Sequence, residues 1–429
     1  MDGRIINVGS GTGETLTIDG ANLVYEGLPV SVNAGDTIVI KGGEYGMSWP
    51  NGAINIKNIH VDGWVKITSD GNVIANGSLH LTGTTPLKGV DIDFRTYDVE
   101  FIRSDDSLVV IDAAEVGGFE NIKLRGFRIH LGSANYSGIF HRGRTVPYNN
   151  GLGTIALKGL EVHDVAITGA CYLPVSIGGV VNSSEDVGYC EDIHIHDLHF
   201  SNSSAATYLN INNVEGFNIH DIDFKSVNVN APGLEIYHWR MIFAKGKGKI
   251  YNCFARDSGG CVAAIEAFSR TSGQTCSIYN CYNYNPWRYG TTEFRAYTDW
   301  IVSGITYDCT LEADFITYYR PSPVPGDVYS ATCVDMYSNL AVPKKVNARN
   351  CVAVNPQNVT KVVNGEIGID SNNLVVYNNL LTKFNLVTMT PASDSVLKGA
   401  GVLRPGVISD LYGTLRLNPP TIGAVEAAV

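Results

Sequence analysis

Apolar and polar residues alternate along many short stretches of this chain. Residues 221–224, Asp-Ile-Asp-Phe, are typical, because every second side chain is apolar. A period of two places successive side chains on opposite faces of a β-strand, whereas an amphipathic helix has a period of 3.6. The pattern therefore predicts many short strands, each with one face turned towards a core.

A fixed sequence period links these strands. Tyr-Asn-Cys occupies 251–253 and 279–281, and Tyr-Asp-Cys occupies 307–309, so the step is 28 residues. Arg-Asn-Cys follows at 349–351 after a step of 42, and Tyr-Asn follows at 377–378 after a further 28. Upstream, the same position carries His-Asp, at 163–164, 196–197 and 220–221. Such a period is typical of a solenoid in which each repeat forms one coil.

The repeat predicts an all-β fold, namely a single-stranded right-handed parallel β-helix of about a dozen coils with N- and C-terminal caps. Equivalent residues of successive coils should lie about 4.8 Å apart. Asn and Asp suit a tight turn, and a Cys thiol packs as a small apolar group. We therefore expect reduced, buried cysteines, and one line of turn residues formed by Asn252, Asn280, Asp308, Asn350 and Asn378.

The two ends of the chain differ from the repeats. Residues 1–34 are rich in Gly and Thr, and we interpret them as an N-terminal cap. The repeats predict a parallel β-helix over residues 35–385. Residues 386–429 lose the period, and we interpret them as a C-terminal cap segment that packs on the helix.

Two segments carry a family resemblance. Residues 35–45, Gly-Asp-Thr-Ile-Val-Ile-Lys-Gly-Gly-Glu-Tyr, resemble the "GDTIxLxxGxY" opening of the pectate-lyase-like superfamily, which includes chondroitinase B, alginate lyases and phage or surface β-helix proteins. Residues 397–426 are similar to the "GxG … DxxGxxR … xxIGAxE" ending of bacterial β-helix proteins. The resemblance implies the architecture of nearly the whole chain, an extracellular, cell-surface or virion location, and a polysaccharide partner.

Charge and hydropathy limit the classes of binding partner that the chain can have. The chain has 31 basic and 42 acidic residues, a net charge of −11, which disfavours general binding to nucleic acid or to an anionic membrane. No apolar run is long enough to span a membrane, and the start lacks the charged and apolar regions of a signal peptide. A homo-oligomer remains compatible with the sequence. We find no Cys/His spacing typical of zinc and assign no metal ligands.

Acidic residues recur 13 to 14 positions after the turn residues. Glu235 lies 14 after Asp221, Glu266 lies 14 after Asn252, and Glu293 lies 13 after Asn280. Alternation places them on an outer face together with arginine and aromatic residues. The predicted catalytic residues are Glu266, Arg295, Glu293 and Arg270. The predicted substrate-binding residues are Glu235, Tyr237, His238, Arg240, Phe268, Trp287, Tyr297, Tyr318 and Arg320.

Acid, arginine and aromatic side chains along a strand face suit a sugar chain. We favour β-elimination on an acidic polysaccharide, for which the resemblance implies Ca²⁺ as a cofactor. Hydrolysis by a carboxylate pair and a non-catalytic spike or adhesion module remain alternatives, and so does a merely solvated face. We interpret the His-Asp pairs as structural, since adjacent residues of a strand point to opposite faces. If these outer-face residues do not form the site, the alternative location is the loop at 132–153, around His141 and Arg142.

Overall fold

The computed structural model describes most of the chain. The described residues are 3–46, 53–103, 107–113, 118–132, 137–142, 155–178, 189–205, 207–225, 240–256, 263–268, 274–284, 293–297, 301–302, 305–306, 309–320, 334–336, 345–356, 360, 362–364 and 367–428. They fall into two compact units, a first unit, Met1–Phe217, and a second unit, Asn218–Val429.

The described residues of the first unit form β-strands joined by turns, and the last of these strands continues past Phe217. The strands are β1 (Ile5–Val8), β2 (Leu16–Asp19), β3 (Leu23–Tyr25), β4 (Leu28–Val30), β5 (Thr37–Ile40), β6 (Gly43–Tyr45), β7 (Ile54–Lys57), β8 (His60–Ser69), β9 (Val73–Ala75), β10 (Leu79–Thr82), β11 (Lys88–Asp93), β12 (Val99–Arg103), β13 (Val109–Asp112), β14 (Phe119–Leu131), β15 (Ser137–Arg142), β16 (Ile155–Ala170), β17 (Leu173–Ile177), β18 (Tyr189–Ser204) and β19 (Thr207–Lys225).

Parallel pairing arranges these strands in three stacks. The first contains β1, β5, β8, β11, β14, β16 and β18 in that order. The second contains β6, β9, β12 and the end of β14. The third contains β2, β7, β10, β13, β15, β17 and β19. The chain visits the stacks in turn, so the unit is a parallel β-helix, as predicted. Within residues 1–34, which we interpreted as the N-terminal cap, β1 pairs in parallel with β5 of the first stack. In the same segment, β3 and β4 form an antiparallel hairpin.

The second unit repeats this arrangement. Its strands are β20 (Arg240–Tyr251), β21 (Phe254–Arg256), β22 (Ala263–Phe268), β23 (Gln274–Tyr279), β24 (Tyr282–Tyr284), β25 (Glu293–Tyr297), β26 (Ile301–Val302), β27 (Ile305–Thr306), β28 (Cys309–Asp314), β29 (Thr317–Tyr319), β30 (Val334–Met336), β31 (Lys345–Arg349), β32 (Val352–Val354), β33 (Val363–Asn364), β34 (Ile367–Ser371) and β35 (Leu374–Val376), and its helix is α1 (Asn379–Thr382). Three stacks of parallel strands recur here, with β26 and β27 as a short antiparallel pair.

Inward-facing aliphatic residues form the core of each coil. In the first stack one such column is fully buried and consists of Ile38, Ile67, Ile92, Leu124, Val162 and Ile195. Burying a side chain of this kind stabilises the folded state by about 1.5–3 kcal/mol. The strict alternation of the sequence therefore fixes which strand face points inward.

The predicted line of turn residues is partly correct. Asn252, Asn280 and Asn350 all adopt the left-handed conformation, and the Asn280 side-chain amide donates to Asn252 Oδ1 at 3.3 Å. Asp308 lies outside the described residues, and the next coil instead places Phe315 at the turn, because its neighbour Asp314 pairs with Tyr279 and Arg349. The inward position of Ala313, two residues before Phe315, sets this register.

Asn378 is not part of that line. The last turn residue is Asn372, with φ 53°, whereas Asn378 is extended and caps the N-terminus of α1. The prediction of reduced thiols is confirmed for Cys253, Cys281 and Cys351, which are buried and not disulfide-bonded.

The C-terminal tail packs along the side of several coils of the second unit. Its apolar residues share a core cluster with the strand residues Tyr282, Tyr319 and Val352, and the cluster's tail members include Phe384, Met389, Leu397, Leu411 and Ile422. Three turn asparagines bind the tail's backbone, since Asn280, Asn350 and Asn372 donate to the carbonyls of Ser409, Val402 and Ala400. No helix in the described parts is long and apolar enough to cross a membrane.

Candidate functional site

The predicted acid–arginine site lies on β22 and β25 of the second unit. Parallel register pairs Glu266 with Arg295, and Phe268 with Tyr297 two residues further on. Glu293 begins β25 and pairs with Ala263, and a register shift separates that pair from the rest. The backbone therefore puts an acidic and a basic position side by side on adjacent coils, with two aromatic positions next to them.

Several other predicted residues lie outside the described residues, namely Arg270, Glu235, Tyr237, His238 and Trp287. Arg240 begins β20, where its backbone pairs with Ala263.

Tyr318 and Arg320 are interior residues in this structure. Their exposed fractions are 0% and 2%, which contradicts their predicted place on an outer face. The neighbouring residues explain the difference, because Thr317 accepts a hydrogen bond from the tail's Ala424 and Tyr319 packs on Phe384. With the tail on that side of β29, alternation turns Tyr318 inward.

His141 is also buried, which removes it from an exposed sugar site. Its side chain is fully inaccessible, and the Gly178 backbone amide donates to its Nδ1 at 3.3 Å. Burial lowers the pKa of His141 to about 4, although the Asp112 carboxylate pulls it the other way. The alternative location around this residue is therefore wrong for His141, and the side chain of Arg142 is outside the described part.

A separate group of ionisable side chains lies on the first stack of the first unit. Glu161 and His163 are two residues apart on β16, and the register places His163 beside His196 of β18. The two imidazole rings stack with centroids 4.6 Å apart and planes 9° apart. Glu161 Oε1 lies 3.8 Å from His163 Nε2 and 3.5 Å from His196 Nε2. We call these three residues the Glu–His–His cluster.

Each histidine of this cluster contacts the aspartate that follows it. His163 Nδ1 lies 2.8 Å from Asp164 Oδ2, and His196 Nδ1 lies 2.7 Å from Asp197 Oδ2. Both aspartates have positive φ, near 54° and 51°, and this turn brings each carboxylate back to its own histidine. The prediction that adjacent residues point to opposite faces fails here because the left-handed turn ends the alternation.

Basic residues flank the cluster. Lys123 Nζ lies 2.8 Å from Glu161 Oε2 and 4.9 Å from the ring centre of Trp64, whose side chain is partly exposed. Burial of Glu161 opposes its ionisation, but Lys123 and the two histidines outweigh that effect, and the pKa of Glu161 lies below its usual value. Arg125, the register neighbour of His163, donates to Asp91 Oδ2 at 2.6 Å.

The Glu–His–His cluster is a set of possible metal ligands within the described residues. Its three ligand atoms all lie within 4.8 Å of one another. Ca²⁺ prefers six to eight oxygen ligands, so two imidazoles and one carboxylate do not suit the Ca²⁺ that the resemblance implies. The sequence prediction missed this cluster. Its signal was the spacing of Glu161 and His163, which puts both side chains on one strand face.

Comparison with known proteins adds little. No protein-family profile and no curated protein sequence matches the chain. Among solved structures, the chain is similar to a PL6 family polysaccharide lyase from Pseudopedobacter saltans, with 10% sequence identity and a TM-score of 0.35, over 81% of this chain and 90% of that chain. A likeness at this level carries no argument, so the fold assignment rests on the strand register alone.

Proposed function

We propose that the protein is a carbohydrate-active β-helix that binds an acidic polysaccharide outside the cell and cleaves it by β-elimination. One observation supports the proposal, namely the register pairing of Glu266 with Arg295 beside the aromatic pair Phe268 and Tyr297. Aromatic faces stack on sugar rings, and a guanidinium binds a carboxylate in a bidentate manner. Adjacent coils repeat these positions at the strand spacing, which suits an elongated polymer.

In the proposed reaction Arg295 binds the uronate carboxylate and withdraws charge from the neighbouring ring carbon. Glu266 removes the proton from that carbon, and the electron pair forms a carbon–carbon double bond as the glycosidic C–O bond breaks. The departing oxygen then takes a proton, for which Arg270 and Glu293 are the candidates. The products are one chain with a new hydroxyl and one with an unsaturated uronate.

A non-catalytic glycan-binding or structural module is the second candidate. The first unit favours it, because charged side chains on its outer face neutralise one another, as in Arg125–Asp91 and Lys158–Glu191. Surface ion pairs of this kind are common without any chemical role.

Incubation with a panel of uronate polysaccharides distinguishes the candidates. Elimination gives the ultraviolet absorbance of the unsaturated product, and hydrolysis gives new reducing ends without that absorbance. Retention of the glycan with neither signal indicates a binder.

Variants then test the site itself. Glu266→Gln and Arg295→Ala should each lower turnover or binding about tenfold or more, which corresponds to about 1.4 kcal/mol. The alternation predicts an outward position for both side chains, so folding should be nearly unchanged. Lys158→Ala serves as a control, because it removes a surface ion pair of the other unit. If both site variants behave like the parent, the proposal for these residues is wrong.

A further inference from the structure

The Glu–His–His cluster has the donor atoms of a transition-metal site. It offers two imidazole nitrogens and one carboxylate oxygen, a ligand set found around Zn²⁺ where a fourth position stays open. The Glu161 Oε1 distances of 3.5 and 3.8 Å to the two Nε2 atoms are close to the separation of about 3.4 Å that tetrahedral zinc geometry requires. The sequence prediction missed the complete site because its ligands come from two coils.

The turn aspartates orient both imidazoles for this role. Ionised carboxylates accept hydrogen bonds only, so Asp164 and Asp197 bind the Nδ1–H of His163 and His196. That tautomer makes Nε2 the electron-pair donor of each ring. Metal-binding histidines are commonly held in this way by a carboxylate behind the ring.

The cluster also brings three electron-rich atoms within 4.8 Å of one another. Two Nε2 atoms and one ionised carboxylate oxygen repel one another unless a cation or a proton lies between them. Lys123 neutralises Glu161 through Oε2, which leaves Oε1 on the histidine side as the ligand atom.

We propose that Glu161, His163 and His196 bind one Zn²⁺-class divalent ion. Binding requires the two rings, whose planes are now 9° apart, to tilt towards each other so that both Nε2 atoms, now within 4.8 Å, point at the ion. The fourth coordination position would remain for water or a ligand. This proposal is independent of the Glu266 and Arg295 site in the second unit.

Metal titration of the full chain tests the proposal. After removal of metals with a chelator, we expect one Zn²⁺ to bind per chain by calorimetry and to raise the unfolding temperature, because an ion bound to the folded state stabilises it. Co²⁺ should give the visible absorption of a low-symmetry nitrogen–oxygen site. Failure of the parent protein to bind either ion would overturn the proposal.

Variants assign the ion to the cluster. Glu161→Gln and His163→Ala should abolish the stoichiometric site, and Asp164→Asn should weaken it about 10- to 100-fold. His220→Ala is the matched control, because His220, in the second unit, has the same contact with its following aspartate, at 2.6 Å, but stacks on Tyr251. It should bind Zn²⁺ like the parent.

Circular dichroism of each variant shows whether it is folded. Glu161→Gln keeps the size of a partly exposed side chain and is the decisive variant if His163→Ala unfolds. Binding that persists in folded Glu161→Gln, or that disappears equally in His220→Ala, contradicts the assignment.

Discussion

The position just before the turn is occupied differently in the two units, although the backbone is the same. In the first unit His163 stacks on His196 at 4.6 Å, and in the second unit Tyr251 stacks on Tyr279 at 4.8 Å. Both separations equal the distance between paired strands, so the coil spacing itself creates the ring stacks. The repeat supplies the geometry, and the residue type at one position decides whether the stack presents imidazole nitrogens or phenol rings.

The turn residues differ in the same way. Aspartate accepts hydrogen bonds only, and in the first unit Asp164 and Asp197 use this capacity on their own histidines. Asparagine both donates and accepts, and in the second unit Asn280 and Asn350 donate to the tail's backbone while Asn350 also accepts from the Val402 amide. The turns at Asp164 and Asp197 thus orient ionisable side chains, and the turns at Asn280 and Asn350 attach the C-terminal tail.

Detaching the C-terminal tail from the second unit should have the largest effect on stability. Arg416 has no exposed side-chain surface, donates to Asn280 Oδ1 at 2.6 Å and to Glu426 Oε1 at 3.2 Å, and lies 3.6 Å above the ring of Phe315. Burial lowers its pKa to about 10, with Glu426 opposing, so it stays charged at neutral pH. Arg416→Ala leaves Glu426 buried without its cation and should destabilise the second unit by about 3–5 kcal/mol in urea unfolding.

Arg404→Ala is the comparison for this experiment. Arg404 also belongs to the tail, but it is 28% exposed, and Arg349 also contacts the two carboxylates that it binds, those of Glu312 and the buried Asp314. We expect Arg404→Ala to lower the free energy of unfolding clearly less than Arg416→Ala does. Equal effects of the two variants would mean that Arg416 does not anchor the tail.

Acid should affect the first unit through His141. Its pKa of about 4 in the folded protein lies below the ordinary value of 6.5, so the unfolded chain binds the extra proton first. The contribution of neutral His141 to the free energy of unfolding is therefore fully present above pH 6.5. It falls by about 3 kcal/mol as pH decreases from 6.5 to 4. Urea unfolding at a series of pH values measures this loss. His141→Gln should flatten the pH dependence in that window, and an unchanged slope would contradict the assignment to His141.

Replacing Phe315 with Asn gives this turn the residue type found at the neighbouring turns, Asn280 and Asn350. A non-glycine residue at φ 54° carries about 1–2 kcal/mol of strain, which Asn tolerates better than Phe. Loss of a fully buried ring and of its contact with Arg416 costs about 3–5 kcal/mol. Packing outweighs strain, so Phe315→Asn should destabilise the second unit by about 2 kcal/mol in urea unfolding. A stabilised variant would show that the strain dominates.

The alternation and the period were sufficient to predict the parallel β-helix, because both follow from one strand per stack in every coil. They assigned the turn of this coil to Asp308, whereas the structure places Phe315 at the turn. The Tyr-Asp-Cys motif resembles the turn sequence, but its Cys309 begins β28 and pairs with Gln274. The burial of Tyr318 depends on a tail more than 60 residues away in sequence, which no local pattern reveals. The Glu–His–His cluster was missed because His196 joins Glu161 and His163 from the next coil, through a strand register that the alternation does not reveal.

The smallest expected effect concerns the ordinary ion pairs on the outer face of the first unit. Arg125 and Asp91 are 18% and 15% exposed and lie 2.6 Å apart, so Asp91→Asn should destabilise the unit by about 1 kcal/mol in urea unfolding. Asp62 is 93% exposed opposite Lys88, and because water and salt screen that pair, Asp62→Asn should leave the unfolding midpoint unchanged. Neither change should alter Zn²⁺ binding, since neither residue contacts the Glu–His–His cluster. Loss of Zn²⁺ binding in Asp91→Asn would mean instead that Arg125, the register neighbour of His163, takes part in positioning that cluster.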